Sequence, residues 1–322
     1  LVGVAVFTSM SASHAPEASV RAYLSAVTSG DIEKALKLDG TKVTSADVLL
    51  TNAAYRTASD RVDSFRVATG QVSGDNAVVR AQLGRSSGSV TETFELKRTG
   101  TDVFFPVWKL EPVSLGKVVV DVGAPPSAQV QVGGITAKRG DAGAVSLRAF
   151  PGSYSATLAE SDLFTADKST ATVVGFADQT SKPAVLDAAL TDSGEKAAND
   201  AIDEYLTACM ASTDPAPAGC PNWVDNKSDY SNYSNVSWTL VSAPIFVVEG
   251  SKWADGGWVV DTSEPGAADF SANAVDSSGQ PASLSLDSPE SIIITGSIAD
   301  VTAKGATYVP APDYTYGATP TT

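Results

Sequence analysis

The sequence predicts an α+β, β-rich, multi-domain chain in which helix-plus-curved-sheet modules flank a small β-sandwich. Three observations carry this. An apolar stripe at i, i+3, i+4 and i+7 occurs twice, in Val20, Tyr23, Leu24 and Val27 and again in Ile202, Tyr205, Leu206 and Cys209. Each stripe is followed by strand-length runs of Val, Thr and Ser between clusters of Gly, Pro, Asp and Asn. Residues 116–190 show no amphipathic helical period at all. A chain of 322 residues is long enough for two or three domains.

The first helix opens at Pro16 and Glu17, where a missing N–H is harmless and an acid suits the helix dipole. Gly30 ends it, and Asp31 caps a second short helix through Ile32, Leu36 and Leu38. Thr44-Ser-Ala-Asp47 resembles a capping box and predicts a third helix through Val48, Leu49, Leu50, Ala54 and Tyr55. Period two then predicts strands over 64–72, 77–83, 89–96 and 103–110, with turns at Gly74-Asp75 and Gly88. Helices packed on such a sheet make a cone with one open end.

Strands follow over 118–122, 128–132, 144–149, 154–158, 169–174 and 185–190, separated by Pro125-Pro126, Gly133-Gly134 and Pro151-Gly152. They read as an immunoglobulin-like sandwich without its disulfide. Asp192 and Glu195 have capping-box spacing and open the next helix. Later strands are expected over 236–241, 245–249, 258–262, 269–275, 283–286 and 292–301. The helix pair and the strand pair around Trp108 and Trp258 suggest a weak internal repeat. The expected division is therefore 1–15, an anchor remnant or signal end with a stalk; 16–115, a cone-like domain; 116–190, the sandwich; 191–305, a shorter α+β domain; and 306–322, a disordered Thr/Pro/Tyr/Gly/Ala tail.

The net charge of −15 lies almost wholly in the last third: residues 191–322 hold 4 basic and 18 acidic side chains. Such a surface repels nucleic acid and anionic lipid heads. It serves solubility outside the cell, or attracts a cationic partner. Cys209 and Cys220 flank a Pro/Gly loop and read as a disulfide, hence an oxidising, extracytoplasmic compartment; two reduced thiols are the alternative. Leu1-Val-Gly-Val-Ala-Val-Phe7 is apolar and uncharged but shorter than the roughly 20 residues that span a bilayer. It reads as the outer end of a membrane anchor or of a signal peptide.

Catalytic sets are sparse. His14 is the only histidine, which argues against Ser-His-Asp and Cys-His hydrolases and structural zinc. Ser114-Leu-Gly-Lys117 and Ser193-Gly-Glu-Lys196 match a serine–lysine spacing, but the later Lys-Thr/Ser-Gly motif does not follow. Asp225-Asn-Lys-Ser-Asp229 departs from a calcium loop at its third ligand. Asn226, Asn232 and Asn235 start glycosylation-type triplets, which mark exposed loops. Trp238 and Trp258 fall in strand patterns. Trp223, Tyr230 and Tyr233 fall in a polar loop and are the candidate surface binding residues, suited to stacking on wall-glycan sugars. Tyr55, Asp60 and Asp63 are the candidates for pocket chemistry in the cone. No cofactor, metal or catalytic residue is assigned.

Pro16 to Asp31 with Trp108 to Pro112, then Val130-Gln-Val-Gly-Gly134 with Pro151-Gly-Ser-Tyr154, follow a plan that resembles a known family. It is similar to the membrane-anchored Gram-positive envelope proteins related to the teicoplanin-resistance-associated protein. In those, an anchor precedes immunoglobulin-like and nuclear-transport-factor-like modules outside the cell. A zinc-ribbon segment often precedes the anchor there, and none is visible in this chain. The resemblance covers most of the chain in plan, through short motifs. It implies an envelope-associated binding or sensing role, and no catalytic residue transfers.

The function expected from the sequence is a non-catalytic extracytoplasmic binding or scaffold protein of the cell envelope, membrane-anchored or secreted. Wall glycan or another envelope protein is the expected partner; nucleic acid is not, and the membrane is met only through the N-terminal segment. The alternatives are a small-molecule carrier or pocket enzyme on the cone, and a self-assembling surface protein. A filled cone favours the first reading; an enclosed pocket with converging acid and donor favours the carrier or enzyme.

Overall fold

The computed structural model describes residues 14–312 except 103, 141–142, 178–181, 225–228 and 255. The apolar start therefore lies outside the described residues, as do most of the calcium-like loop and the last ten positions. The chain is β-rich, 48% strand against 16% helix, which is the α+β class expected. It forms two compact units. One comprises Leu1–Val122, Gln129–Ala159 and Asp167–Leu186; the other comprises Gly123–Ala128, Glu160–Ala166 and Asp187–Thr322.

In the first unit, helix α1 (Pro16–Ser29) buries Val20, Tyr23, Leu24 and Val27 and stops at Gly30, whose φ of 76° a side chain would resist. Helix α2 (Ile32–Asp39) is capped by the Asp31 carboxylate, which accepts the Lys34 N–H. The third helix differs from expectation. Helix α3 (Asn52–Thr57) starts at a Thr51 cap. Upstream, Asp47 accepts the N–H and hydroxyl of Thr44, so the Thr44–Asp47 pair closes a turn instead of opening a helix. Strands β1 (Ser64–Val67), β2 (Gln71–Ser73), β3 (Asn76–Arg85), β4 (Gly88–Asp102) and β5 (Phe105–Leu110) form an antiparallel sheet in the order β1-β3-β4-β5, with β2 beside β3. Alternate residues Ala77, Val79, Ala81 and Leu83 of β3 face the core.

The chain continues through β6 (Gly116–Gly123), β7 (Val130–Val132), β8 (Ile135–Ala137), β9 (Val145–Ala149), β10 (Gly152–Leu158), β11 (Phe164–Thr165), β12 (Ser169–Val173) and β13 (Ala184–Asp187). Two sheets result, β12-β10-β7-β8, which is antiparallel, and β13-β6-β9. They bury Val130, Val132, Tyr154, Ala156 and Ala171 on one side, and Val118, Val120, Val145, Leu147 and Leu186 on the other. Residues 16–115 and most of 116–190 lie in this one unit because their cores are continuous. Tyr23 meets Phe94 and Phe176, and Phe150 meets Phe176 and Tyr55, all at centroid distances of 5.8–5.9 Å. Polar contacts cross the same boundary: Tyr55 donates to the Pro151 carbonyl at 3.2 Å and Thr57 to the Gly133 carbonyl at 3.1 Å.

Arg148 on β9 adds a charged tie, donating to Asp47 through Nε at 2.7 Å and Nη2 at 2.6 Å. Arg148 and the Thr44 groups hold the Asp47 carboxyl well below its usual range, against the opposing effect of burial. The folded chain therefore binds fewer protons here than the unfolded chain. The contribution is complete above about pH 5 and is lost as pH falls below about 4. Asp47→Asn should cost about 1–2 kcal/mol near neutral pH, the low end for charged hydrogen bonds because Arg148 is partly exposed. Urea unfolding at about pH 7 and about pH 3 checks this: the gap between variant and wild type should narrow at the lower pH.

In the second unit, β14 (Ala189–Leu190) pairs with β11, and helix α4 (Asp192–Met210) follows. Its cap is Thr191, one residue before the expected Asp192; Thr191 Oγ1 accepts the Gly194 N–H. Gly194 is required because a Cβ there would lie 1.9 Å from the Leu163 carbonyl oxygen. Strands β15 (Tyr230–Ser242), β16 (Ile245–Val248), β17 (Trp258–Glu264), β18 (Gly266–Asp276), β19 (Pro281–Ser285), β20 (Glu290–Ile292), β21 (Gly296–Thr302) and β22 (Gly305–Pro310) form two sheets. One runs β15-β18-β19 with β20 on β18; the other runs β16-β17-β21-β22.

Three expectations are corrected here. The expected 292–301 strand is two strands on different sheets, broken before Gly296, whose backbone approaches the Val309 carbonyl too closely for a Cβ. The expected tail contributes β22, which pairs with β21, while Tyr308 stacks on Tyr205 and donates to the Thr295 carbonyl. The repeat does not extend to topology: Trp108 is on the edge strand β5, but Trp258 is on the inner strand β17. Trp258 is fully buried, donates to the Ala188 carbonyl at 3.1 Å and stacks edge-on against Trp253.

Candidate functional site

The cone interior is occupied by rings. Tyr23, Tyr55, Phe94 and Phe150 are at most 2% exposed and Phe176 is 6% exposed, so side chains from 116–190 close what the sequence left as an open end. One polar atom stands out: the Tyr23 hydroxyl is buried and has no hydrogen-bond partner among the described residues. Burial, and then the nearby Asp39, Tyr55 and Glu92, push its pKa well up and keep it protonated. The acids near it are already engaged. Asp39 accepts from Thr41 N–H and hydroxyl and from Val113 N–H, and Glu92 accepts the Phe176 N–H at 2.7 Å.

Of the expected pocket candidates, Asp60 and Asp63 line one open groove with Ser59, Arg61 and Ser86, and Tyr55 does not line it. Tyr55, pushed up to about 12 by burial against the opposing effects of Val62 N–H, Arg61 and Arg85, hydrogen-bonds backbone on both sides. Asp60 takes φ 47° and accepts from Ser86 Oγ, Ser87 N–H and Ser87 Oγ at 2.7–2.9 Å, with Arg85 at 3.3 Å. Burial raises its pKa, but the serine bonds and Arg85 outweigh this and leave it lowered. Asp63 accepts from its neighbour Ser64. These carboxylates fix turns. Lys196 of the serine–lysine string pairs with Asp200 on the solvent side of α4. Among the described residues no three His, Cys, Asp or Glu side chains group as metal ligands.

Cys209 and Cys220 form the expected disulfide, with Cα atoms 5.6 Å apart. The bridge fixes the C-terminal end of α4 to the following loop. Tyr205 donates to the Gly219 carbonyl at 2.6 Å, buried Asn222 to the Cys209 carbonyl at 3.3 Å, and Trp238 to the Asp214 carbonyl at 3.1 Å. The bond points to an oxidising, extracytoplasmic environment. No helix of the described residues is long and apolar enough to cross a membrane.

Of the candidate aromatics, Trp223 is half-buried beside this loop, while Tyr230 and Tyr233 are half-buried within β15 rather than in a loop. The physical reason is a three-residue repeat. Tyr230-Ser-Asn and Tyr233-Ser-Asn precede Val236-Ser-Trp238, and Asn232 and Asn235 take φ of 53° and 52°. Each Asn forms a bulge, so Ser231, Ser234 and Ser237 oppose Val275, Asn273 and Ser271, three residues against two. The bulges hide the period of two.

This strand brings together a face that residue-by-residue reading missed. Ser237, Ser271 and Ser285 lie in one cross-strand row, Ser234, Asn273 and Ser283 in the next, and Thr239 opposite Asp269, all exposed. Asp269, Ser237, Thr239, Ser271 and Ser285 line an open groove with Phe270 and Leu286. Small hydroxyls and one carboxylate at strand spacing can donate to and accept from a neutral, hydroxyl-rich ligand. The sequence signal was present as alternate Ser and Asn along 269–275 and 281–285. Comparison with family models, curated proteins and solved structures finds no match to the chain.

Proposed function

We propose that the chain is a non-catalytic extracytoplasmic binding or scaffold protein of the cell envelope, and that the hydroxyl face of the β15-β18-β19 sheet is its contact with neutral wall glycan. The observation that carries this reading is the two exposed rows of Ser and Asn beside Asp269 and Thr239. Supporting it, Asp60 and Asp63 are engaged by neighbouring serines and the core of the first unit is filled with rings. Membrane anchorage through the apolar N-terminal segment belongs to the same proposal.

Co-sedimentation with purified wall sacculi tests it. The wild-type chain should be retained, and the double substitution Ser237→Ala with Ser271→Ala should weaken binding about thirtyfold at unchanged melting temperature, since each of the two lost hydrogen bonds is worth about 1 kcal/mol. Equal retention of the variant assigns the contact elsewhere. Absence of retention by the wild type removes glycan as the partner. A second reading, self-assembly, has one observation in its favour: Ile245 and Val247 are half-exposed on β16, at the edge of its sheet. Light scattering that rises with protein concentration would favour it.

A further inference from the structure

The β4–β5 hairpin extends beyond the packed body of its sheet. On β4 every residue from Lys97 to Asp102 is exposed, whereas Phe94 and Leu96 just before them are buried. The pairing continues to Asp102 opposite Phe105, so the projecting part is an ordered two-stranded ribbon. Its tip reads Asp102-Val-Phe-Phe-Pro-Val107. Phe104 is 85% exposed, the most exposed large apolar side chain described, and Val107 is 40% exposed on the same ribbon. An aromatic held out at the tip of a polar ribbon is costly in water and suited to an apolar partner.

His14, the first described residue, sits at this place. His14 stacks on Phe105 with centroids 5.0 Å apart, and its Nε2 lies 3.6 Å from Asp102. Six residues separate His14 from Phe7, the last residue of the apolar run Leu1 to Phe7. That stretch spans at most about 25 Å even when fully extended. Whatever the apolar run is embedded in, the hairpin tip is tethered close to it.

We propose that the β4–β5 hairpin is a membrane-contacting finger, with Phe104 entering the interfacial layer of the lipid bilayer that holds the N-terminal segment. This rests on the anchor reading given above. Tethering makes the second contact effectively intramolecular, so one aromatic side chain suffices where it would not bind alone. The contact would fix which side of the first unit faces the bilayer.

The test holds the chain at phosphatidylcholine vesicles through an N-terminal hexahistidine tag on sparse nickel-chelating lipids, because Leu1 to Phe7 is too short to span a bilayer, and reads flotation and quenching by lipids brominated at defined acyl positions. Phe104→Trp should float with the vesicles and show a blue-shifted emission absent from the wild type, quenched most strongly by bromines near the headgroup. Phe104→Ser should reduce the floating fraction about fivefold with no change in melting temperature. If the chain floats but Trp at 104 is neither shifted nor quenched, the finger is overturned and the anchor stands. If wild type and Phe104→Ser float equally, the finger is overturned and the anchor reading is untouched. A blue shift that grows with protein concentration in the absence of vesicles buries the tip in a second copy of the chain and overturns the proposal.

Discussion

Phe176→Ala is expected to destabilise the whole first unit by about 3–5 kcal/mol. Phe176 meets Tyr23, Phe94 and Phe150 within 6 Å, centroid to centroid, and its backbone N–H is bound by Glu92. Removing the ring leaves a cavity lined by stiff aromatics, which collapse poorly, so the upper half of that range applies. The informative readout is where protection is lost. Amide hydrogen exchange should rise together in α1, β3 and β10, because the ring joins residues from both sides of the 115/116 junction. If α1 and β3 keep wild-type protection while β10 opens, the two segments are independent domains and the shared core is refuted. The wild type should likewise unfold α1, β3 and β10 in one denaturant transition.

Replacing Cys209 and Cys220 together by Ser should lower the stability of the second unit by about 2–3 kcal/mol, the chain-entropy value for so short a loop. Reduction of the wild type should produce the same shift, and reduction of the double variant none. The effect is local in origin. The bridge holds the loop that supplies the Asp214 carbonyl to Trp238 and the Gly219 carbonyl to Tyr205. Guanidinium unfolding followed by tryptophan emission suits it, since four of the five tryptophans lie in 191–322. Intact-mass measurement under non-reducing conditions gives a separate check, because two free thiols would add the mass of two hydrogens and contradict the bridge.

Much of the fold was legible because local signals agreed with tertiary ones. The Val20-to-Val27 stripe, Pro16 and Gly30 specify α1 without reference to anything distant. The alternation in 77–83 specifies β3, and the cysteine pair specifies its own loop. What the sequence hid has physical causes. Phe150 and Phe176 stand alone in their segments, so nothing local says that they fill a space made by residues 16–115. The Thr44–Asp47 spacing occurs in helix starts and in turns alike, and Arg148, about 100 residues away, pairs with the turn. Bulges at Asn232 and Asn235 convert a period of two into three, which concealed the first half of β15 and with it the position of Tyr230 and Tyr233. Tyr, Thr and Pro near the C-terminus suggested a tail, yet Ala306 to Pro310 alternate well enough to pair with β21. The alternate Ser and Asn of 269–285 were visible locally, but they make a face only when pairing sets them in rows across three strands.

Crystals of the chain under xenon pressure show whether the interior of the first unit is filled, since xenon enters apolar cavities that water leaves empty. No xenon is expected among Tyr23, Tyr55, Phe94, Phe150 and Phe176 in the wild type, and an occupied site is expected at that position in Phe176→Ala. Xenon bound in the wild type beside the Tyr23 hydroxyl would reveal a chamber in the first unit. It would contradict a filled interior and favour a carrier or enzyme.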